Sequence, residues 1–380
     1  MSSSPINVSV VGIGMSATVF HIPFIQALPE QFKLHSIVER KATSEKSDAR
    51  DFYGPDIKVV TSLQEVLEDD VVDAVFVTTI NDTHYEFSKA ILTAGKHVII
   101  EKPLTPTAAE SKELIDLAKS TNLIIAVFQN RRWDADFLTV KHLYETGQFG
   151  ELSHFESYFD RYRNNLAPSR QWKETPGPGS GAAFDLGSHL LDQALYLFGR
   201  PDSVTATLRN SRGLGHADFH DSFIIQLNYP AKENQTGRKI PLLVTLGGSI
   251  LSLFNPQLRY RIKGTDAAFV KYGVDVQEPQ SVASGYWQGP PKADVPKPGD
   301  DAFGREPKEA WGTIYTAEKK DGEVVESKQG SYLDWFKNVA GAIQKKDPEL
   351  LIVKPEQAAE VIEIIEACLK SSQEGITVKL

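Results

Sequence analysis

The sequence predicts an α/β protein in which an N-terminal doubly wound parallel sheet is followed by an α+β domain with a large, mainly antiparallel open sheet. A chain of 380 residues is long for one hydrophobic core. Short β-branched runs alternate with helical segments over the first third, which is typical of a parallel sheet. Between Val204 and Val270, strand-like alternation recurs with turns between the runs, which indicates antiparallel strands. We therefore predict two domains, residues 1–130 and 131–380, with the C-terminal helix free to pack back on the first.

Composition and charge argue against several classes of function. The net charge of −9 argues against nucleic acid or an anionic membrane as the main partner. The start, Met-Ser-Ser-Ser-Pro, has no basic region, and the apolar run from Val8 to Ile13 is too short for a signal peptide or a membrane span. The single cysteine, Cys368, excludes an intrachain disulfide framework and is typical of a reducing compartment. The sequence therefore predicts a cytoplasmic protein.

A glycine-rich loop follows the first predicted strand, Val8 to Val11. It reads Gly-Ile-Gly-Met-Ser-Ala, a G-x-G-x-x-A pattern between a strand and a short helix that ends near Pro29. Glycines allow a tight turn and a close approach of the backbone to a pyrophosphate, which rests on the helix N-terminus. The pattern predicts the Rossmann form of the doubly wound sheet. The cofactor-binding residues predicted in this loop are Gly12, Gly14, Met15, Ser16 and Ala17.

The end of the second predicted strand bears on the choice between NAD and NADP. The strand Leu34 to Val38 is followed by Glu39, Arg40 and Lys41. An acidic residue at this point binds the ribose hydroxyls of NAD, whereas an arginine accommodates the 2′-phosphate of NADP. Two cations stand against one carboxylate, so we favour NADP(H). A solvated charge run is the alternative, for Lys41 in particular.

Three further predicted strands also end in polar residues. They lead into the turns Ile80–His84, Glu101–Pro103 and Phe128–Trp133. Because the carboxyl ends of parallel strands meet at one edge of the sheet, we expect these residues to converge on a ligand site. The predicted cofactor-binding residues are Thr78, Thr79, Asn81, His84, Glu101, Lys102, Gln129 and Arg132, and the predicted substrate-binding residues are Asn130, Arg131 and Trp133.

Lys102 is the candidate acid/base of this edge. Pro103 pushes Lys102 to extended geometry, at the end of the strand that contains Val98 and Ile100. A lysine that is partly removed from water can exchange protons near neutrality. The stretch from Val98 to Pro103 alone favours an ordinary loop lysine. Its position beside four other polar strand ends favours a catalytic role.

A second catalytic pair, Asp185 and His189, is predicted further along the chain. The spacing of Leu186, Leu190 and Ala194 predicts a helix, and residues four apart lie on one face of a helix. The carboxylate can then orient the imidazole and hold its proton, which makes His189 a candidate acid/base. A surface contact between the two side chains is the alternative.

Two other polar stretches are candidates for a ligand-covering loop and for a metal site. A Pro/Gly-rich loop that contains Trp172 follows Arg163 and is predicted either to close over a sugar-like ligand or to be an ordinary surface connection. His216 and His220 are four residues apart with acidic neighbours, but the surrounding glycines favour a loop over a rigid helix. No metal site is predicted.

The motifs together resemble the Gfo/Idh/MocA oxidoreductases, and the resemblance covers nearly the whole chain. It rests on the glycine loop, Glu101-Lys102-Pro103 and Asn130-Arg131-Arg132-Trp133. Phe20-His21-x-Pro23 and Asp134-x-Asp136-Phe137 are similar to the NADP-dependent scyllo-inositol dehydrogenase branch. The resemblance implies that Asp185 and His189 face the substrate and work with Lys102, and that copies pair through the C-terminal sheet as a homodimer or higher homo-oligomer.

The predicted function is reversible hydride transfer between C4 of a nicotinamide and a carbinol or carbonyl carbon of a polyol, inositol or sugar. Lys102 and His189 are the candidates for handling the proton, and Arg163 and Trp172 join the predicted substrate-binding residues. Whether Lys102 or His189 is the immediate base stays open. The alternatives are an NADP-binding regulatory protein without catalysis and an NADPH-dependent reductase of other aldehydes or ketones.

Overall fold

A computed structural model describes residues 4–166, 174–233, 239–285, 292 and 294–380 of the chain. The chain forms two compact units, each assembled from separate stretches. Unit 1 comprises Met1–Asp134, Val276–Gly304 and Gly330–Ala359, and unit 2 comprises Ala135–Asp275, Arg305–Gln329 and Glu360–Leu380.

Unit 1 contains a six-stranded sheet in the order β3-β2-β1-β4-β5-β6. All of its pairings are parallel. The order is that of a doubly wound dinucleotide-binding sheet, so the predicted N-terminal fold is confirmed. The strands are β1 Ile6–Val11, β2 Phe32–Val38, β3 Lys58–Val60, β4 Ala74–Val77, β5 His97–Ile100 and β6 Ile125–Val127.

Helices connect and cover these strands. The helix Ala108–Thr121, α5, begins with a capping box: Thr107 accepts from the amide of Glu110, and the Glu110 carboxylate accepts from the amide of Thr107. A π-helical turn, Ser16–His21, stands directly before α1. The helices of this unit are α1 Ile22–Gln26, α2 Asp48–Tyr53, α3 Leu63–Leu67, α4 His84–Thr93, α5 Ala108–Thr121, α8 Gln277–Ser284 and α9 Tyr332–Lys345.

The parallel pairing decides where the polar strand ends lie. Val11, Val38 and Val77 are in register across the sheet, and Ile100 and Val127 continue that row. The residues after β1, β2, β4, β5 and β6 therefore leave the sheet at one edge. This is the carboxyl edge, where open parallel sheets bind ligands.

Unit 2 contains a nine-stranded sheet in the order β14-β13-β12-β11-β7-β10-β9-β8-β15. β7 and β10 pair in parallel, and the other pairings are antiparallel. The predicted mainly antiparallel sheet is confirmed. The strands are β7 Leu152–Tyr158, β8 Ser203–Arg209, β9 Ser222–Glu233, β10 Lys239–Gly248, β11 Leu258–Gly264, β12 Ala267–Tyr272, β13 Gly312–Thr316, β14 Glu323–Val325 and β15 Val378–Lys379.

Two helices of unit 2 bear on the site. α6 spans Ala135–Glu145, and α7 spans Ser188–Phe198 and is preceded by a second π-helical turn, Ala183–Gly187. The C-terminal helix, α10, spans Pro355–Glu374, with its first five residues in unit 1 and the rest in unit 2. Over the residues described, no helix is long and apolar enough to cross a membrane.

Candidate functional site

The glycine loop begins as soon as β1 ends. Gly12 has φ +113°, and its amide donates to the carbonyl of Val38 at 3.1 Å. A Cβ on Gly12 would stand 3.1 Å from Oγ1 of Thr78, so only glycine fits this conformation and this space. Gly14 and Met15 are exposed, whereas Ala17 is fully buried. The backbone of the loop is therefore exposed at Gly14, and at Gly12 the loop packs against Thr78, which directly follows β4.

The Glu39 carboxylate is bound to the N-terminus of α2. It accepts from Oγ of Ser47 at 2.6 Å and from the amides of Asp48 and Ala49 at 2.9 and 3.1 Å. Burial opposes ionisation, but these hydrogen bonds outweigh it and hold the pKa of Glu39 below its ordinary value. Arg40 and Lys41 are both exposed. Glu39 thus has protein partners, while the two cations face solvent.

The residues after β4 include one fully buried histidine. Oγ1 of Thr78 donates to the carbonyl of Val11 at 2.9 Å, which ties this turn to β1. Thr79 bonds Thr83 through their hydroxyls, and Asn81 begins a 3₁₀ turn that leads into α4. His84, the first residue of α4, has no exposed surface. His84 can therefore act only through its protein contacts.

Glu101 lies at the centre of a buried hydrogen-bond network beside Lys102. Its Oε1 accepts from Oγ of Ser16 at 2.6 Å and from Nε2 of His21 at 2.8 Å, and its Oε2 accepts from the amide of Lys102 at 3.1 Å. Burial opposes its ionisation, but the bonds from His21 and Ser16 and the charge of Lys102 keep the pKa of Glu101 below its ordinary value. The structure thus brings together Ser16, Glu101 and Lys102, which the sequence places on two different turns.

The run after β6 is buried throughout. The Arg131 guanidinium pairs with Asp134 and Glu278. Burial opposes its charge, but these carboxylates and Tyr332 raise the pKa of Arg131 above its ordinary value. Nη1 of Arg132 donates to the carbonyl of Ile352 at 3.2 Å and to Gln357 at 3.0 Å. Gln129, Asn130 and Trp133 are also less than 9% exposed. Both guanidinium groups therefore have protein partners, and their predicted contacts to ligand stay predictions.

In unit 2, the two members of the predicted Asp/His pair lie on different kinds of helical turn. Asp185 is exposed on the π-helical turn, and His189 is buried in the first turn of α7. The rings of His189 and Phe159 form a T-shaped contact with a centroid distance of 6.3 Å. π-helical turns are rare and occur often at functional sites. This turn was not predicted from the apolar spacing, which is the same for an ordinary helix.

Phe159, which contacts His189, also contacts a fully buried arginine, Arg259. The Arg259 guanidinium bonds Asp136 at 2.8 Å, Ser157 at 2.5 Å and Gln193 at 2.9 Å. It also lies over the ring of Phe159, 4.1 Å from its centroid. Gln193 follows His189 by one helical turn. Arg259 therefore joins α6, β7 and α7, the helix that contains His189.

The remaining predicted residues are placed as follows. Arg163 is half-buried, and its amide donates to the carbonyl of Ile250 at 2.8 Å. Trp172 lies outside the described residues. His216 and Asp218 are exposed and 3.7 Å apart. Within the described ranges, no group of three or more His, Cys, Asp or Glu side chains is placed to hold a metal ion.

The residues of unit 1 fit a nicotinamide dinucleotide. A Cβ on Gly12 would approach Thr78, whereas a Cβ on Gly14 would meet no atom within 4 Å among the described residues other than its chain neighbours. Oε1 of Gln129 is buried and has no hydrogen-bond partner in the part of the chain that the structure describes, so it can accept from a bound amide. The glycine loop would hold the pyrophosphate, and Arg40 and Lys41 would meet the adenosine end.

Sequence reasoning missed three supporting residues. His21 appeared only within the Phe-His-x-Pro pattern, and neither Arg259 nor Gln193 was noticed. Arg259 is 66 residues from Gln193 and 123 from Asp136. No local pattern indicates this role, because strict strand alternation would put Arg259 on the same face of β11 as the exposed Arg261. The pairing register of β11 shifts between Leu258 and Tyr260, and Arg259 is buried at this irregularity.

Comparisons with known proteins agree with this architecture in both halves. The model GFO_IDH_MocA, an oxidoreductase family with an NAD-binding Rossmann fold, matches residues 6–129. The model of that family's C-terminal alpha/beta domain, GFO_IDH_MocA_C, matches residues 141–380. These two ranges cover most of the chain.

Individual relatives extend over nearly full length. The chain is 42% identical over 386 residues to the uncharacterized oxidoreductase C115.03 of Schizosaccharomyces pombe, covering 99% of this chain and 100% of that one. It is 36% identical over 378 residues to the scyllo-inositol 2-dehydrogenase (NADP(+)) IolW of Bacillus subtilis, covering 99% and 96%. The solved structure of the oxidoreductase yvaA from Bacillus subtilis has a TM-score of 0.85 and 34% identity, covering 99% of each chain. The chain therefore belongs to the Gfo/Idh/MocA family of oxidoreductases.

Proposed function

We propose that the protein catalyses reversible hydride transfer between C4 of a nicotinamide and a carbinol or carbonyl carbon of a polyol, inositol or sugar. One observation carries the proposal. Glu101 bonds both Ser16 of the glycine loop and the backbone of Lys102, so a candidate proton-transfer group is fixed to the dinucleotide-binding loop. The relative that is a scyllo-inositol 2-dehydrogenase supports this substrate class.

The chemistry divides between hydride and proton. In the oxidative direction the carbinol carbon gives up a hydride, which a bound nicotinamide accepts, and the hydroxyl gives up a proton. Lys102 and His189 are the proposed acceptors of that proton, with Asp185 as the proposed partner of His189. In the reductive direction the same groups return the proton to the carbonyl oxygen. Asn130, Arg131, Trp133, Arg163 and Trp172 are proposed for substrate recognition.

The proposed cofactor is NADP(H). The Glu39 carboxylate accepts three hydrogen bonds from Ser47, Asp48 and Ala49, which makes it a poor acceptor for ribose hydroxyls. The exposed Arg40 and Lys41 follow it directly and can meet a 2′-phosphate. The relative IolW is an NADP(+)-dependent scyllo-inositol 2-dehydrogenase, which supports this preference.

The function is tested by following NADPH formation and oxidation with scyllo-inositol, other polyols, sugars and their carbonyl forms. We expect turnover with this class, and a loss of about 10²- to 10⁴-fold in kcat for Lys102→Ala and for His189→Ala, with little change in NADPH affinity. Lys112→Ala, on the exposed face of α5, is the control. Full turnover by Lys102→Ala would remove that residue from the mechanism. Tight NADPH binding without turnover on any substrate would favour the regulatory alternative.

Cofactor preference has its own test. Arg40→Ser is expected to lower kcat/KM with NADPH about 10-fold or more while kcat/KM with NADH changes little, because a charged hydrogen bond to the 2′-phosphate is lost. Lys46→Ser, an exposed lysine in the same loop, is the matched control. An unchanged NADPH/NADH ratio would remove Arg40 from the proposal.

We further propose self-association through the outer face of the unit 2 sheet. Strand alternation and register put Ile224, Tyr272, Tyr315 and Val324 on this face, and all four are 38–52% exposed. Exposed apolar side chains on the face of an open sheet are typical of homo-oligomer contacts. Sedimentation of the full chain tests it: Tyr315→Lys with Val324→Lys is expected to shift a dimer or larger species to monomer.

A further inference from the structure

The turn Glu101–Pro103 is bonded from one side by His21. Glu101 is ionised at neutral pH because its pKa is lowered, and an ionised carboxylate only accepts hydrogen bonds. Nε2 of His21, 2.8 Å from Oε1, must therefore be the donor. The His21 ring is 1% exposed and packs against Phe128 and Phe76, with centroids 4.4 and 5.5 Å away. The ring is therefore packed between aromatic side chains, and its N–H donates to Glu101.

The same turn is bonded from its other end by His84. Nδ1 of His84 lies 2.8 Å from the carbonyl oxygen of Pro103, and Nε2 lies 3.3 Å from that of Thr79. Burial lowers the pKa of His84, so the ring is neutral and carries one N–H. The shorter contact assigns that N–H to Nδ1, which donates to Pro103. His84 therefore holds the residue that directly follows Lys102.

Each contact reaches Lys102 through a short bonded path. From His21 the path runs through the Glu101 carboxylate to the Lys102 amide. From His84 the path runs through the carbonyl of Pro103, and Pro103 is bonded directly to Lys102 in the chain. The two histidines come from the π-helical turn before α1 and from the start of α4, so they fix the turn from two different connections of the sheet.

We propose that His21 and His84 are positioning residues that hold the Glu101–Pro103 turn at both ends and thereby place the Lys102 ammonium for proton transfer. The inference rests on the proposed function of Lys102. Neither histidine is a catalytic residue here, because His21 and His84 are 1% and 0% exposed and contact protein groups. A displacement of about 1 Å in a reacting group can lower turnover about 100-fold, so a positioning role is large enough to measure.

The test uses variants that keep or remove one N–H. A glutamine amide can place its N–H near Nε2 of a histidine, and an asparagine amide near Nδ1. His21→Gln and His84→Asn therefore keep the donors to Glu101 and Pro103, whereas His21→Leu and His84→Leu fill the space without a donor. The control is His154→Leu, an exposed histidine on β7 of unit 2.

Two readouts are taken on the full-length protein. We expect kcat to fall about 10- to 100-fold in each leucine variant, with recovery in His21→Gln and His84→Asn and little change in KM for NADPH. The second readout is the rate at which acetic anhydride modifies Lys102 relative to the exposed Lys33, measured by peptide mass spectrometry. We expect this ratio to change in the leucine variants and to stay near wild type in the amide variants.

The outcomes separate this inference from the proposed function. If the wild type turns over no substrate, the proposed function fails, and the acetylation ratio still decides whether the histidines place Lys102. The inference would be overturned if kcat fell equally in the leucine and amide variants and in proportion to their loss of thermal stability, because altered packing alone would account for that result. An unchanged kcat together with an unchanged acetylation ratio in both leucine variants would also overturn the inference.

Discussion

Two buried charges support the two candidate acid/base residues, and they do so in different ways. In unit 1 the charge is the carboxylate of Glu101, the chain neighbour of Lys102, which bonds Ser16 and His21. In unit 2 the charge is the guanidinium of Arg259, which is 70 residues from His189, bonds Gln193 on the same helix and lies over Phe159, whose ring also contacts that of His189. Glu101 thus bonds the backbone of Lys102, whereas Arg259 shares the contact with Phe159 and bonds the helix that contains His189.

These two arrangements predict different effects of mutation on folding stability and on activity. Arg259 bonds groups on three elements and lies against two aromatic rings, so its removal should loosen the whole layer. Glu101 holds one turn and the glycine loop. We therefore expect changes at Arg259 to affect mainly folding stability, and changes at Glu101 to affect stability less and the chemistry of Lys102 more.

Removing the buried arginine is the largest expected effect. Arg259→Met leaves the Asp136 carboxylate buried without its cation, and both side chains have no exposed surface. Breaking a buried pair from one side costs about 3–5 kcal/mol in the free energy of unfolding, measured by urea denaturation. Arg259→Met combined with Asp136→Leu should recover much of this loss. A loss below about 1 kcal/mol in the single variant would contradict the assigned role of the pair.

Removing the charge of Glu101 has a smaller effect, and it depends on pH. Glu101→Gln should lower the free energy of unfolding at pH 7 by about 1–3 kcal/mol, because its amide nitrogen cannot accept from the amide of Lys102. The folded-state pKa lies below the ordinary value of 4.5, so this stabilisation is complete above 4.5 and is lost as pH falls through the folded pKa.

Thermal unfolding of wild type and Glu101→Gln between pH 3 and 7 checks this. The two unfolding midpoints should differ at neutral pH and approach each other in acid. A difference that stays constant over this range would show that the charge of Glu101 does not contribute.

Two glycines of the same loop should respond differently to alanine. Gly12→Ala places a Cβ 3.1 Å from Thr78 at φ +113° and should cost about 1–3 kcal/mol of stability. In Gly14→Ala the new Cβ meets no described atom within 4 Å apart from its chain neighbours, so the stability should change by less than about 0.5 kcal/mol while NADPH affinity falls. Thermal unfolding and quenching of protein fluorescence by NADPH measure the two effects. Normal NADPH affinity in Gly14→Ala would show that this backbone is not close to the cofactor.

The smallest expected effect comes from the other arginine of β11. Arg261 points outward, is half-exposed and pairs with Glu156. Arg261→Met should therefore cost at most about 1 kcal/mol, because exposed ion pairs contribute little. Because both arginines lie on β11, urea denaturation of the two variants tests whether burial causes the difference in their free energies of unfolding. Equal losses in the two variants would remove that explanation.

Local patterns predicted the elements that carry the site. The buried runs that end at Val11, Val77, Ile100 and Val127 and lead into the glycine loop and the three polar turns were predicted as strands. The position of Lys102 at a strand end followed from Pro103. These features depend on neighbours within a few residues, which a sequence displays directly.

Partners far apart in the chain could not be predicted in the same way. The sequence suggested a ribose ligand for Glu39, and the structure gives it the N-terminus of α2. It suggested ligand contacts for Arg131, and the structure pairs that residue with Glu278, 147 positions away. A charged side chain indicates that a partner is needed when it is buried, but not which partner.

The sequence by itself therefore determined the Rossmann sheet, the mainly antiparallel second sheet and the strand end that carries Lys102, because apolar periodicity and proline geometry act locally. Only the packing of elements that are distant in the chain brings His21 and His84 within hydrogen-bond distance of Glu101 and Pro103, and Arg259 within hydrogen-bond distance of Asp136, Ser157 and Gln193. The physical reason is that hydrogen bonds between buried groups depend on which elements pack together, and that packing is set by the whole fold.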